Sequence, residues 1–322
     1  MTKDESLEQL LSHYSFLGCE ILEDFQGGNS QVLKIRALDG MQYGLKRYLG
    51  DWDRRKRSLE HEVEAHKVLG GLNAISMPKL VDHWFEIPSM LYQWVNGEKP
   101  KDIDRARSFL SESFRSLNSL HRVHKSSKIA VDAVSNLVEL KMQLNARSFL
   151  IENVRGIPSE VSQQLRRLHR DVFLTMPKDV LIPFDTLSFS DHGVHNLLET
   201  ESGNFVFIDF EFFGNDSTSK LICDLYLHPQ GIYASKELAE LNLELNRHTN
   251  SYFFYRTLLP AFALKWIYII LRRSIDWDNS LFVGRQFGAE DLNLYLEYAE
   301  SLIRGPEEDI PPTYIEFKNV RE

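Results

Sequence analysis

The chain has 322 residues, 43% of them hydrophobic and 26% charged, and carries a formal net charge of −9. That length buries a sizeable core and allows two lobes, while the acidic balance excludes a nucleic-acid binder, whose footprint is a basic face. Cys19 and Cys223 are too few for a disulfide framework and lack zinc spacing, so a reducing cytoplasm is the expected compartment.

The opening residues are acidic and polar, without the basic flank and apolar run of a signal peptide. Glu20–Phe25, Gln31–Arg36 and Gln42–Tyr48 read as three antiparallel strands, separated by turns at Gln26–Ser30 and Leu38–Gly40. Gly27 and Gly28 in the first turn let the backbone approach a ligand closely, which suits a loop over phosphates, but two glycines in a hairpin equally make an ordinary turn.

Strand alternation puts Tyr43, Leu45 and Arg47 on one face and Gly44, Lys46 and Tyr48 on the other. The next segment, Arg54–Leu69, is helical in pattern, with Leu59, Val63, His66 and Leu69 on one stripe. Glu62 falls inside that stripe, where a charge needs a partner, and Lys46 is the candidate; the alternative is that Glu62 sits at the stripe's edge and reaches water. Glu60 and Glu64 are expected in solvent. The basic run Arg54–Arg57 follows Asp51 and Asp53 and reads as a solvated helix start without a function.

Two further strands, Lys79–Phe85 and Met90–Val95, close the β-rich part, so a boundary is expected near residues 95 to 100. Beyond it, helical windows appear at Arg105–His121, Pro158–Thr175, Ser235–Asn246, Tyr252–Arg273 and Ala289–Ile303. The most apolar window, Leu258–Leu271, contains Lys265 and reads as too short to span a bilayer. The stretch from Gly305 to Pro312 is expected to be extended and exposed.

Between these helices lies SFSDHGVHNLLETESGNFVFIDFEFF, starting at Ser188. Asp191 and Asn196 stand as D-x-x-x-x-N, the spacing by which a kinase catalytic loop sets a base beside a metal ligand. A hairpin turning at Ser202–Asn204, with Phe205–Ile208 as its return strand, brings Asp209 back towards Asn196. Other chemistries compete for these residues. Asp191 with His192 and His195 could form a metal cluster, though zinc wants more ligands at defined spacing. Asp209 and Glu211, about 7 Å apart on one face of a strand, could be a glycosidase pair, but that leaves Lys46, Glu62 and Asn196 unexplained.

Taken in order, glycine hairpin, strand lysine, helix glutamate, D-x-x-x-x-N and Ile208-Asp209-Phe210-Glu211, the chain resembles the aminoglycoside phosphotransferase and choline/ethanolamine kinase group of small-molecule kinases. The resemblance implies an α+β, bilobal protein-kinase-like fold, with a small N-terminal antiparallel sheet lobe carrying one helix (1–95, nucleotide-binding) and a larger, mainly helical lobe (96–322, catalytic and substrate-binding). It implies ATP and Mg²⁺ as cofactors and transfer of phosphate to a hydroxyl of a small molecule, such as an amino sugar, a sugar or an amino alcohol. Carried residue by residue, it makes Lys46 the phosphate-binding lysine, Glu62 its helix partner and Asp191 the catalytic base. Asn196 and Asp209 become metal ligands, Glu211 a support for metal or substrate, and Asp224 a brace for the catalytic loop. Gly27 and Gly28 would lie over the phosphates, and Gln93 to Val95 would offer backbone groups to the adenine.

The chain departs from the group's pattern at Phe189-Ser190, where His-Gly is common, and at His192–His195. A nucleotide-binding scaffold without turnover is the rival reading. It would show loss of the lysine, base or metal ligand, and all are present.

Overall fold

The computed structural model describes residues 3–15, 18–27, 29–70, 75–178, 180–229, 231–245, 253–276, 281–282, 289–304 and 310–321. The chain forms two compact units, Met1–Val131 with Leu187–Asn215, and Asp132–Thr186 with Asp216–Glu322.

The first unit is built on a five-stranded antiparallel sheet in the order β1-β2-β3-β5-β4, from β1 (Glu20–Gln26), β2 (Ser30–Arg36), β3 (Gln42–Tyr48), β4 (Leu80–Trp84) and β5 (Ser89–Gln93). The β2–β3 turn closes with Gly40 at φ +83°, a left-handed position that glycine adopts without a Cβ penalty. Strand alternation then sorts the side chains. Leu33, Ile35, Leu45 and Leu91 pack with Leu10 of α1 (Lys3–His13), a second helix that the sequence reading did not anticipate, and with Tyr14 just beyond its end. Tyr48 and Met90, on the opposite face, pack with Leu59 of α2 (Trp52–Leu69). The Asp51 carboxylate caps α2 by accepting from the Arg54 backbone N–H at 2.8 Å.

The same unit holds α3 (Ile103–His121), capped by Asp102, and the hairpin of β7 (Leu197–Glu199) and β8 (Phe205–Phe207). Burial on α2 is wider than one stripe, because the helix also packs against the segment after α3. Glu64, expected in solvent, is 7% exposed and accepts from the Ser126 hydroxyl and Ser127 backbone; Glu60 pairs with Lys128 at 2.6 Å.

The second unit is mainly helical: α4 (Leu137–Glu152), α5 (Ser159–Thr175), α6 (Thr218–Leu227), α7 (Ser235–Leu245), a π-helical turn (Phe254–Leu258) leading into α8 (Leu259–Arg273), α9 (Ala289–Arg304) and α10 (Tyr314–Arg321). Short strands β6 (Thr186–Ser188) and β9 (Gly214–Asp216) fall at the unit boundaries, and β10 (Ile275–Asp276) pairs with β11 (Leu281–Phe282). Helix α8 is the axis of this unit and packs against α4, α5, α6 and α9. With the π-turn it runs for 20 residues, Phe254–Arg273, beyond the expected window Leu258–Leu271, and is by length and composition apolar enough to cross a membrane; 83% of its apolar window is buried within the chain, the pattern of a core helix. Asn246, Tyr252 and Gly305–Asp309 lie outside the described residues. Of the expected exposed stretch, Pro311 is buried, and the Pro312 carbonyl accepts from Tyr298 at 2.8 Å, so this end is packed rather than free.

Candidate active site

Six of the candidate polar residues, Lys46, Glu62, Asp191, Asn196, Asp209 and Glu211, lie together within the first unit. Lys46, 3% exposed on β3, donates to Glu62 Oε2 at 2.6 Å and to Asp209 Oδ1 at 2.7 Å. The same Glu62 oxygen also accepts from the Tyr48 hydroxyl at 2.6 Å, so the buried carboxylate meets two donors at Oε2. Glu62 therefore belongs to the packed face of α2, and its reach to water is closed. Burial alone would lower the Lys46 pKa, but Asp209, Glu62 and Glu211 outweigh it and hold the ammonium well above its ordinary range. Burial pushes Glu62 up, with Lys46 pulling it back.

The hairpin supplies the next contacts. Leu197 pairs with Phe207, and the Ile208 backbone N–H donates to the Asn196 carbonyl at 2.9 Å, so the segment holding Asp209 returns directly beside Asn196. Strand β8 ends one residue earlier than expected, at Phe207, and Asp209 takes φ +67°. Alternation therefore stops before the acids, and the argument for a glycosidase pair on one strand face loses its geometry. The Asn196 amide donates to the Asp191 carbonyl at 3.1 Å. Asp191 itself, 35% exposed, accepts from the Gly193 N–H at 3.4 Å, and its Oδ2 lies 3.3 Å from His195 Nε2.

Phe189, 2% exposed, packs on Phe207, Phe210 and Phe213, which anchors the start of the loop. Ser190 follows at φ +59°, with its hydroxyl on the Val131 carbonyl at 3.0 Å. His192 is buried edge-on to Phe114 with Nε2 2.9 Å from the Ser188 hydroxyl. It is a packing residue here, which removes it from the metal cluster weighed with Asp191 and His195.

Glu211 is 3% exposed. Its Oε1 accepts from Asn29 Nδ2 at 2.7 Å, while Oε2 is buried with no hydrogen-bond partner among the described residues. Burial and the neighbouring Asp209 charge both raise its pKa. An orphaned carboxylate oxygen next to the Asp209 carboxylate offers hard oxygen donors of the kind that suit Mg²⁺.

The remaining candidates have simpler surroundings. The Gly27 N–H closes its turn on the Ser30 carbonyl at 2.8 Å, and Gly28 lies outside the described residues. Gln93 and Trp94 donate backbone N–H groups to Lys79 and Gln42, and Val95 follows, half-buried. Asp224, in the second unit, accepts from Lys220 at 2.8 Å and from the Trp266 indole at 3.0 Å. Tyr48, Asn29 and Arg54 were missed from sequence: Asn29 looks like any turn asparagine, and Arg54 donates to its Oδ1 from the helix start read as functionless.

No protein-family model matches the sequence, and no curated protein matches it. Solved structures do. A thermostable mutant of aminoglycoside phosphotransferase APH(4)-Ia in apo form has a TM-score of 0.62 at 13% identity, covering 92% of this chain and 98% of that one. A choline/ethanolamine kinase family protein from Mesorhizobium loti has a TM-score of 0.56 at 18% identity, covering 95% and 96%. The chain has their fold. The expected α+β, kinase-like architecture, with an antiparallel sheet followed by a mostly helical region, is thus borne out. APH(2'')-Ib, solved with ADP, shares this fold at a TM-score of 0.56 and 14% identity, covering 94% of this chain and 99% of that one.

Proposed function

We propose that the chain is an ATP- and Mg²⁺-dependent phosphotransferase of the cytoplasm that moves the γ-phosphate to a hydroxyl of a small molecule, such as an amino sugar, a sugar or an amino alcohol. Residues 1–95 serve as the nucleotide-binding lobe and 96–322 as the catalytic and substrate-binding lobe. The observation that carries this reading is the Lys46 ammonium, buried and shared between Glu62 and Asp209. Neighbours sharing the fold point the same way, one solved with AMP-PNP and hygromycin B, another with ADP.

Each residue then has a task. Lys46, held by Glu62 and Tyr48, presents its charge to the phosphates, and the Gly27–Gly28 turn lies over them while Gln93 and Val95 offer backbone groups to the base. Asn196, with its donor end committed to the Asp191 carbonyl, offers its oxygen to the metal together with Asp209 and Glu211. When bound, Mg²⁺ neutralises charge developing on the phosphate oxygens. Asp191 orients the acceptor hydroxyl and takes its proton as the acceptor oxygen–γ-phosphorus bond forms and the bond from γ-phosphorus to the β-phosphate oxygen breaks, releasing ADP. Positioning and electrostatics supply most of the rate.

The test is ATP consumption across a panel of sugars, amino alcohols and aminoglycosides, paired with nucleotide-induced thermal shifts with and without Mg²⁺. With an accepted substrate, Asp191→Asn is expected to lower turnover by about 10²- to 10⁴-fold while retaining the nucleotide shift. Metal-independent nucleotide binding without turnover on any acceptor would instead identify a scaffold.

A further inference from the structure

Asn29 makes a contact that neither the fold nor the motifs require. Its side chain joins two groups of fixed hydrogen-bonding sense: Nδ2 donates to Glu211 Oε1 at 2.7 Å, and Oδ1 accepts from the Arg54 guanidinium. A guanidinium only donates and a carboxylate only accepts, so the orientation of the amide between them is determined. The backbone is tied as well, since the Asn29 carbonyl accepts from Leu49 N–H at 2.7 Å. Arg54 stands in the first turn of α2, the helix that carries Glu62. One asparagine thus connects the glycine turn, the start of α2 and the acid after β8.

The consequence falls on Glu211. With Oε1 held, the carboxylate cannot swing, and its buried Oε2 is left without a partner among the described residues. We infer that Asn29 is a positioning residue for the metal site, clamping Glu211 so that Oε2 faces a divalent cation, with Arg54 fixing the clamp. This rests on Glu211 being a metal ligand, as proposed above. Outer partners of metal-binding carboxylates commonly set affinity by 10- to 100-fold without touching the ion.

The experiment titrates Mn²⁺, read by electron paramagnetic resonance, into the full-length protein without nucleotide. Asn29→Ala is expected to weaken Mn²⁺ binding about 10-fold and Arg54→Ala by less, with nucleotide binding in EDTA unchanged; the unfolding temperature is expected to fall in either case, since Glu211 loses its donor. A merely structural role for Asn29 would lower the unfolding temperature and leave the Mn²⁺ affinity of the folded protein at the parent value, and that pattern would overturn the inference. Asp209→Asn and Glu211→Gln separate it from the reading beneath it. If both weaken Mn²⁺ while Asn29→Ala does not, the clamp alone is refuted; if neither weakens it, the metal site itself falls and the clamp with it.

Discussion

Replacing Lys46 with methionine isolates the buried ion pair. The change removes the cation from Glu62, which is 3% exposed and keeps only the Tyr48 hydroxyl bond at 2.6 Å. Asp209, with a side chain 37% exposed, is rehydrated and contributes little to the loss. Breaking a buried pair from one side costs about 3 to 5 kcal/mol, because an uncompensated charge stays behind. Glu62 can escape by taking a proton. Its folded pKa, already raised by burial, then rises further, so the penalty is present at neutral pH and fades as pH falls towards the unfolded value near 4.5. Lys46→Met/Glu62→Gln removes the charge but keeps an acceptor for Tyr48, and is expected to recover to within about 2 kcal/mol of the parent at pH 7. Urea denaturation followed by circular dichroism measures all three proteins. A single variant losing under about 1 kcal/mol, or a double variant no more stable than the single, would refute the account of Glu62 as a buried anion.

His66 gives a pH prediction. Burial first, and the Lys46 charge second, lower its pKa from 6.5 to about 4, so the unfolded state takes up the proton first and stability is lost as pH falls from 6.5 to about 4. A drop of about 2.5 at ~1.36 kcal/mol per pH unit sets the loss at up to about 3 kcal/mol, and His66→Leu should flatten that part of the stability profile. Glycine contacts give a steric pair. A Cβ on Gly44 would lie 2.3 Å from the Tyr92 ring, and one on Gly214 would lie 2.4 Å from the Ala130 backbone nitrogen. Gly44→Ala should cost about 1 to 3 kcal/mol as the ring shifts; Gly214→Ala should cost more, since backbone cannot step aside, and equal melting temperatures for the two would contradict this.

Legibility in the sequence followed the range of the interactions. The sheet was readable because strand period and turn chemistry are local: Gln42–Tyr48 and the turn ending at Gly40 fall where alternation and glycine place them. Helix period put Glu62 on the apolar stripe but left open whether it met Lys46 or water, and the motifs from Asp191 to Glu211 were needed to favour the pair. Helices α1, α4, α6 and α10 were not found; α4 has little amphipathic contrast and α6 is buried on nearly every side. Glu64 was misplaced because its partners, Ser126 and Ser127, come from a distant loop. Asn29 and Arg54 were missed for the same reason: their significance lies in Glu211, 182 residues away from Asn29.

The backbone at Ser190 and Asp209 has an evolutionary corollary. Both hold left-handed conformations without being glycine, at an expense of order 1 to 3 kcal/mol each, less where Asp tolerates the region. Selection on backbone strain alone would drift both positions towards glycine, but at 209 that change would also remove the carboxylate that pairs with the buried Lys46 at 2.7 Å. Backbone relief and the ion pair therefore pull in opposite directions at position 209, while at 190 the change would forfeit the hydroxyl bond to the Val131 carbonyl.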